Sequence, residues 1–238
     1  MNDIIPVLMY HSISDKKNFL SVNTIAFEKQ MKFLKNSGYQ SINFNEINKK
    51  NKKKIIITFD DGYKDNIANA LPILNKYNFK ATFFIVTNCI SKSNIWDVGT
   101  KNYNKMELLD YDDINRLLDS NMSLGSHTCN HKNLVTSDPS ELEYEIKYSK
   151  LFLEKKFNTK ISAFSYPYGK LNKKISNIVS TNYEYAVTTI RSRYNYNVHK
   201  NNFIPRLHMS NKISNFKFYI KLNTIYEDIK YNDKQLFM

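Results

Sequence analysis

Eight apolar, β-branched-rich runs of strand length punctuate the chain, at residues 5–10, 41–44, 54–59, 81–87, 123–126, 161–166, 185–189 and 203–209. Between most of them, apolar positions recur at helical spacing. Phe27, Met31 and Leu34 form one such stripe, Ile67, Leu71 and Leu74 a second, Ile114, Leu117 and Leu118 a third, and Leu142, Ile146, Leu153 and Phe157 a fourth. Each stripe gives a helix one face to bury, and each run gives a strand long enough to sit inside a sheet. Strands alternating with helices predict an α/β domain built on a parallel sheet, open or closed into a barrel.

Local signals refine the boundaries. Asp138, Pro139 and Glu141 read as an N-cap, a first helical residue and a residue able to bond back to the cap, so the fourth helix starts there. Pro72 lies inside the second stripe, where a missing N–H and a ring clash predict a kink. No internal repeat is present, and the Lys/Asn-rich stretch at 48–54 reads as a solvated turn. The expected organisation is a single domain over 1–238, with a core at about 5–210 and a helical extension at 211–238. In such folds chemistry gathers at the C-terminal ends of the strands.

Composition adds a charge argument. The 238 residues carry 35 Lys and Arg against 22 Asp and Glu, a formal net charge of +13. That excess invites an anionic partner, yet no nucleic-acid motif, zinc-finger spacing or glycine-rich phosphate loop accompanies it, so no specific nucleic-acid partner is expected. Ile213, Phe216 and Ile220, set among Lys212, Lys217 and Lys221, read either as a packed terminal helix or as a peripheral contact with an anionic membrane. No apolar run approaches the ~20 residues that span a bilayer, and residues 1–6 lack the features of a secretory leader, so a cytoplasmic location is expected. Two cysteines, Cys89 and Cys129, are too few for a disulfide framework.

Two clusters carry candidate chemistry. In Thr58-Phe59-Asp60-Asp61-Gly62, adjacent carboxylates follow the run Ile55-Ile56-Ile57. Two like charges at the end of a buried strand are costly unless a cation lies beside them or one holds a proton; the bland alternative is a helix cap. In Ser126-His127-Thr128-Cys129-Asn130-His131, two of the chain's five histidines lie four apart, a spacing that lets both face one ion. One aspartate and two histidines would form a three-ligand metal site with open positions, leaving the other aspartate as a base. Cys129, between them, reads as packing.

These segments resemble the first and second motifs of the polysaccharide deacetylase family, the carbohydrate esterases with a NodB-type domain. Ser165-Tyr166-Pro167-Tyr168-Gly169 resembles the third, and weaker likenesses at 81–84, 186–189 and 204–207 extend the match over most of 5–210. The opening Pro6-Val7-Leu8-Met9-Tyr10-His11-Ser12 is similar to the circularly permuted branch that deacetylates poly-N-acetylglucosamine. The resemblance implies a distorted (β/α) barrel of about seven parallel strands, and removal of N-acetyl groups from amino-sugar glycans. Asp61, His127 and His131 would hold a divalent metal, most simply zinc, with iron, nickel or cobalt as alternatives. Asp60 would be the base and His11 the acid, with His208 the substitute acid. The Tyr168 backbone amide, beside Pro167, would stabilise the oxyanion, and Tyr10 would pack on sugar at the mouth. Two departures stand out. Ser165 occupies the place where many members carry an arginine that orients the base, and the fourth motif has no clear counterpart, unless Trp96-Asp97 substitutes for it or stacks on sugar. An inactive glycan-binding relative would keep the fold without the chemistry.

Overall fold

The computed structural model describes residues 3–16, 18–49, 53–101, 103–211 and 213–230. Seven parallel strands make the principal sheet: β1 (Val7–Tyr10), β2 (Lys54–Phe59), β3 (Thr82–Ile85), β4 (Ser123–Ser126), β5 (Ala163–Ser165), β6 (Tyr185–Val187) and β7 (Leu207–His208). Their spatial order is β6-β5-β4-β3-β2-β1-β7, so the first strand lies between the second and the last. The expected strand at 41–44 shrinks to Gln40–Ser41, which pairs with the start of β2, while Phe44 turns into a 3-10 helix. The backbone of Ile204 then ties the two sheet edges together. Its N–H donates to Ala186 (2.9 Å) and its carbonyl accepts from Thr188 (2.9 Å), which closes a distorted barrel. The run at 203–209 yields only two residues of regular strand, and Pro205 inside it has no N–H to give a ladder.

Side-chain parity along the strands separates two cores. Val7, Ile56, Phe84, Ala163 and Val187 share the barrel interior, whereas Leu8, Tyr10, Ile57, Phe59 and Phe83 pack outward beneath the helices. The outer layer includes α1 (Thr24–Asn36), capped by Asn23, and α2 (Asp65–Asn69) followed by α3 (Leu71–Tyr77). Helix α2 breaks from α3 at Ala70, placing Pro72 in the first turn of α3, where an N–H is unneeded. Helix α4 (Tyr111–Asp119) carries a capping box between Asp110 and Asp113. Next, α5 (Pro139–Glu143) continues through a π-helical turn at Tyr144–Tyr148 into α6 (Ser149–Phe157), and α7 (Lys173–Asn182) follows. Pro139 does open α5, but the Asp138 side chain makes no capping bond, and Glu141 forms an ion pair with Lys132.

The chain's last described elements are α8 (Asn215–Asn223) and α9 (Tyr226–Lys230). Phe218 and Leu222 bury themselves in the outer core, Phe33 of α1 meeting the Phe218 ring edge-on at 5.7 Å. Lys221 is also buried, paired with Glu227 at 2.6 Å, so it is no surface cation, while Phe216 is exposed. Lys212 lies outside the described residues. Among the described residues no helix is long and apolar enough to cross a membrane.

Candidate functional site

The C-terminal ends of β2 and β4 meet at one end of the barrel. The chain leaves β2 through Asp60 and Asp61, and Asp61 and Gly62 both adopt left-handed backbone, φ 72° and 73°. This turn brings Asp61 Oδ1 within 3.2 Å of His127 Nε2 and 3.3 Å of His131 Nε2. All three side chains are buried, and one ligand atom from each lies within 4.8 Å of the others. The His127 Nδ1–H donates to the Ser165 carbonyl at 2.8 Å, which fixes the ring with Nε2 toward Asp61. The His131 ring is held between Trp96, stacked at 4.6 Å, and the edge of Tyr168, also at 4.6 Å. Two imidazole nitrogens and a carboxylate oxygen, convergent and buried, suit a divalent cation with three protein ligands.

Electrostatics mark both carboxyls as ionised. Burial by itself would raise the Asp61 carboxyl, but hydrogen bonds from both histidines and the His11 charge hold it well below the usual carboxylate range. Burial likewise opposes ionisation of Asp60, and here the charge and hydrogen bonds of Arg206 win, holding the carboxyl below its ordinary value. Arg206 is fully buried inside the barrel. Its Nη1 donates to Asp60 Oδ1 and its Nη2 to Asp60 Oδ2, both at 2.7 Å, a bidentate pair. The remaining donors reach Thr58 Oγ1 (3.1 Å), Ser165 Oγ (3.2 Å) and the Thr188 carbonyl (2.9 Å). Ser165 Oγ itself donates to Asp60 Oδ2 at 3.2 Å.

Arg206 is the residue that sequence reasoning missed. The arginine absent from the start of the third motif arrives instead from the segment entering β7, and Ser165, where it was sought, hydrogen-bonds to both partners. One signal was available: a lone arginine within the mostly apolar run at 203–209.

The other candidates divide. His11 follows β1, its carbonyl accepting from Asn66 Nδ2 at 2.8 Å, and its ring meets that of His208 edge-on at 6.5 Å. Burial, together with the charges of His11, Arg191, Lys221 and Arg206, pushes His208 down to about 4. Tyr10 is not at the mouth. It is fully buried on the outer face of β1, its ring against Phe27 (5.1 Å) and its hydroxyl donating to Gln30 (2.6 Å). Residue parity sends it outward with Leu8, toward α1. Pro167 is buried, whereas Tyr168, left-handed at φ 59°, is half exposed beside His131. Gly169 completes that turn; a Cβ there would lie 1.9 Å from Thr189 Oγ1. Cys129 is buried, with Sγ–H donating to the Tyr144 carbonyl at 3.5 Å, as packing requires. A cleft of about 690 Å³, lined by Trp96, Asn130, His131, Lys132, Tyr168 and Lys170 among others, reaches the convergent side chains at His131.

The profile of the polysaccharide deacetylase family matches residues 47–186. The Bacillus subtilis protein YxkH is 35% identical over 193 residues, 78% of this chain and 64% of YxkH. The poly-β-1,6-N-acetyl-D-glucosamine N-deacetylase of Staphylococcus epidermidis is 28% identical over 187 residues, 72% of this chain and 61% of that protein. The chain thus spans about three fifths of the length of these curated relatives. Among solved structures, the Streptococcus pyogenes deacetylase PplD in complex with acetate superposes with a TM-score of 0.80 at 27% identity, covering 92% of this chain and 98% of PplD.

Proposed function

Because the chain belongs to the polysaccharide deacetylase family, we propose that it hydrolyses the N-acetyl amide of an amino-sugar glycan of the N-acetylglucosamine type, releasing acetate and a free amine. The observation that carries this reading is the convergence of Asp61, His127 and His131 beside a second carboxylate, Asp60, that a buried arginine keeps ionised. Acetate bound to the Streptococcus relative, and the poly-N-acetylglucosamine named for the Staphylococcus one, support the choice of bond and sugar.

Asp61, His127 and His131 would hold the divalent cation, with zinc the best match to two nitrogens and one oxygen. When bound, that cation supplies Lewis acidity toward the amide carbonyl and toward the attacking water. Asp60, ionised and oriented by Arg206, accepts the water proton. The backbone amide of Tyr168 donates to the oxygen on which negative charge develops. His11 gives a proton to the nitrogen as the C–N bond breaks, because an amine cannot leave as its anion. Trp96 and Tyr168, on the wall of the cleft, offer aromatic surface to sugar rings.

The test offers the purified protein a panel of N-acetylated sugars, polymeric and lipid-linked, and measures released acetate before and after chelation and with zinc, cobalt, nickel or iron restored. Acetate release that vanishes on chelation and returns with metal is expected. Tight glycan binding with no acetate release under any metal would overturn the reading in favour of an inactive binding protein.

A further inference from the structure

The loop that carries His127 and His131 is strained. Thr128 (φ 68°) and His131 (φ 55°) both sit in left-handed backbone without being glycine. Its own side chains hold part of it: Ser126 Oγ accepts from the Thr128 N–H at 3.3 Å, and Thr128 Oγ1 from the His131 N–H at 2.9 Å. The outward half, Cys129 and Asn130, is gripped by a different element. Glu145, fully buried, accepts from the Cys129 N–H (2.9 Å), the Asn130 N–H (2.8 Å) and Asn130 Nδ2 (2.6 Å). One carboxylate thus binds three donors in the short stretch between the two histidines.

Glu145 stands in the π-helical turn, and that turn is itself braced. A π turn leaves backbone carbonyls without their usual helical donors. Here the Tyr144 carbonyl accepts from Cys129 Sγ, the Glu145 carbonyl from Ser149 Oγ (2.8 Å), and the Ile146 carbonyl from Tyr183 Oη (2.6 Å). Helix irregularity, carboxylate and loop are therefore one connected unit.

We propose that Glu145 is a positioning residue that holds the His127–His131 loop in its strained, ligating geometry, and that the π turn exists to present it. The inference rests on the reading of Asp61, His127 and His131 as metal ligands. Glu145 touches none of these side chains; it acts through the backbone of Cys129 and Asn130.

In Glu145→Gln the amide places a donor against one of the three donors it must satisfy. The experiment titrates Co²⁺ into metal-free protein by calorimetry, for wild type, Glu145→Gln, the exchange Glu145→Gln/Asn130→Asp, and His131→Ala. Glu145→Gln is expected to bind Co²⁺ about 10–100-fold more weakly. The exchange, which restores a donor–acceptor pair between positions 145 and 130 with its polarity reversed, should recover part of that loss. Wild-type affinity in folded Glu145→Gln, or no recovery in the exchange, would overturn the proposal. If Glu145→Gln fails to fold, Asn130→Ala, which removes the side-chain donor to Glu145 together with the acceptor used by Asn88 Nδ2 (3.0 Å), substitutes for it with a smaller expected loss, and unchanged affinity again overturns the proposal. Wild-type protein that binds no Co²⁺, or His131→Ala that binds as tightly as wild type, would instead sink the ligand assignment itself.

Discussion

Replacing Arg206 with methionine keeps most of the side-chain volume and removes the guanidinium that faces Asp60 from inside the barrel. Both groups are buried, and the two 2.7 Å bonds between them are charge-assisted. Deleting one partner of such a pair leaves the other charge without compensation, at a cost of about 3–5 kcal/mol at pH 7. With a urea slope of roughly 3 kcal/mol/M, that cost lowers the unfolding midpoint by about 1–2 M. The pH dependence separates charge from packing. In wild type the Asp60 carboxyl is held below its ordinary value, so the pairing contributes fully above the unfolded value and is lost only as pH falls through the depressed one. In the variant, burial raises the carboxyl, and the folded protein takes up a proton before the unfolded chain does. Its stability therefore recovers as pH drops. Urea unfolding of metal-free wild type and variant at pH 7 and pH 4.5 should show a gap that narrows at the lower pH. A gap equal at both values would refute the electrostatic account and leave only lost packing, and a gap under about 1 kcal/mol at pH 7 would refute the pairing.

If His11 is the acid, His11→Ala should retain its metal and lose about a hundredfold or more in amide turnover, while an acetate ester with a good leaving group is hydrolysed far closer to the wild-type rate. Equal losses on amide and ester would shift the role to His208. His208 also makes a pH prediction of its own. Its folded value lies near 4, below the unfolded histidine range, so its contribution to stability is complete above the unfolded value and is lost as pH falls toward 4. His208→Gln should flatten that part of the stability curve, and an unchanged slope from pH 7 to 4 in thermal unfolding would show that His208 does not titrate there.

The residues whose convergence the sequence anticipated share one property: their spacing is local. Asp60 and Asp61 are neighbours at a strand end, and His127 and His131 sit four apart, so spacing alone brings each pair to one place. Arg206 and Asp60 become partners only because β7 docks beside β1, a contact between distant parts of the chain that no short window contains. Tyr10 misled for a related reason. Every residue of β1 is buried, since a barrel strand has a core on both faces, and polarity alternation could not tell inside from outside. Asp138 carried the composition of a cap, but composition does not dictate where a side chain points when solvent is equally available. The π turn left no mark in the helical stripe, because a one-residue widening preserves the buried positions on either side of it.

Barrel closure has a consequence in time. A ribosome delivers this chain from the N-terminus, so Asp61, His127 and His131 emerge long before Arg206, and the proposed base is synthesised without the cation that keeps it charged. A product ending ahead of Arg206 would carry every proposed metal ligand but lack the guanidinium that offsets the burial of Asp60. If Asp60 is the base, the proposed chemistry waits for β7, because Arg206 reaches Asp60 only once that strand has docked beside β1.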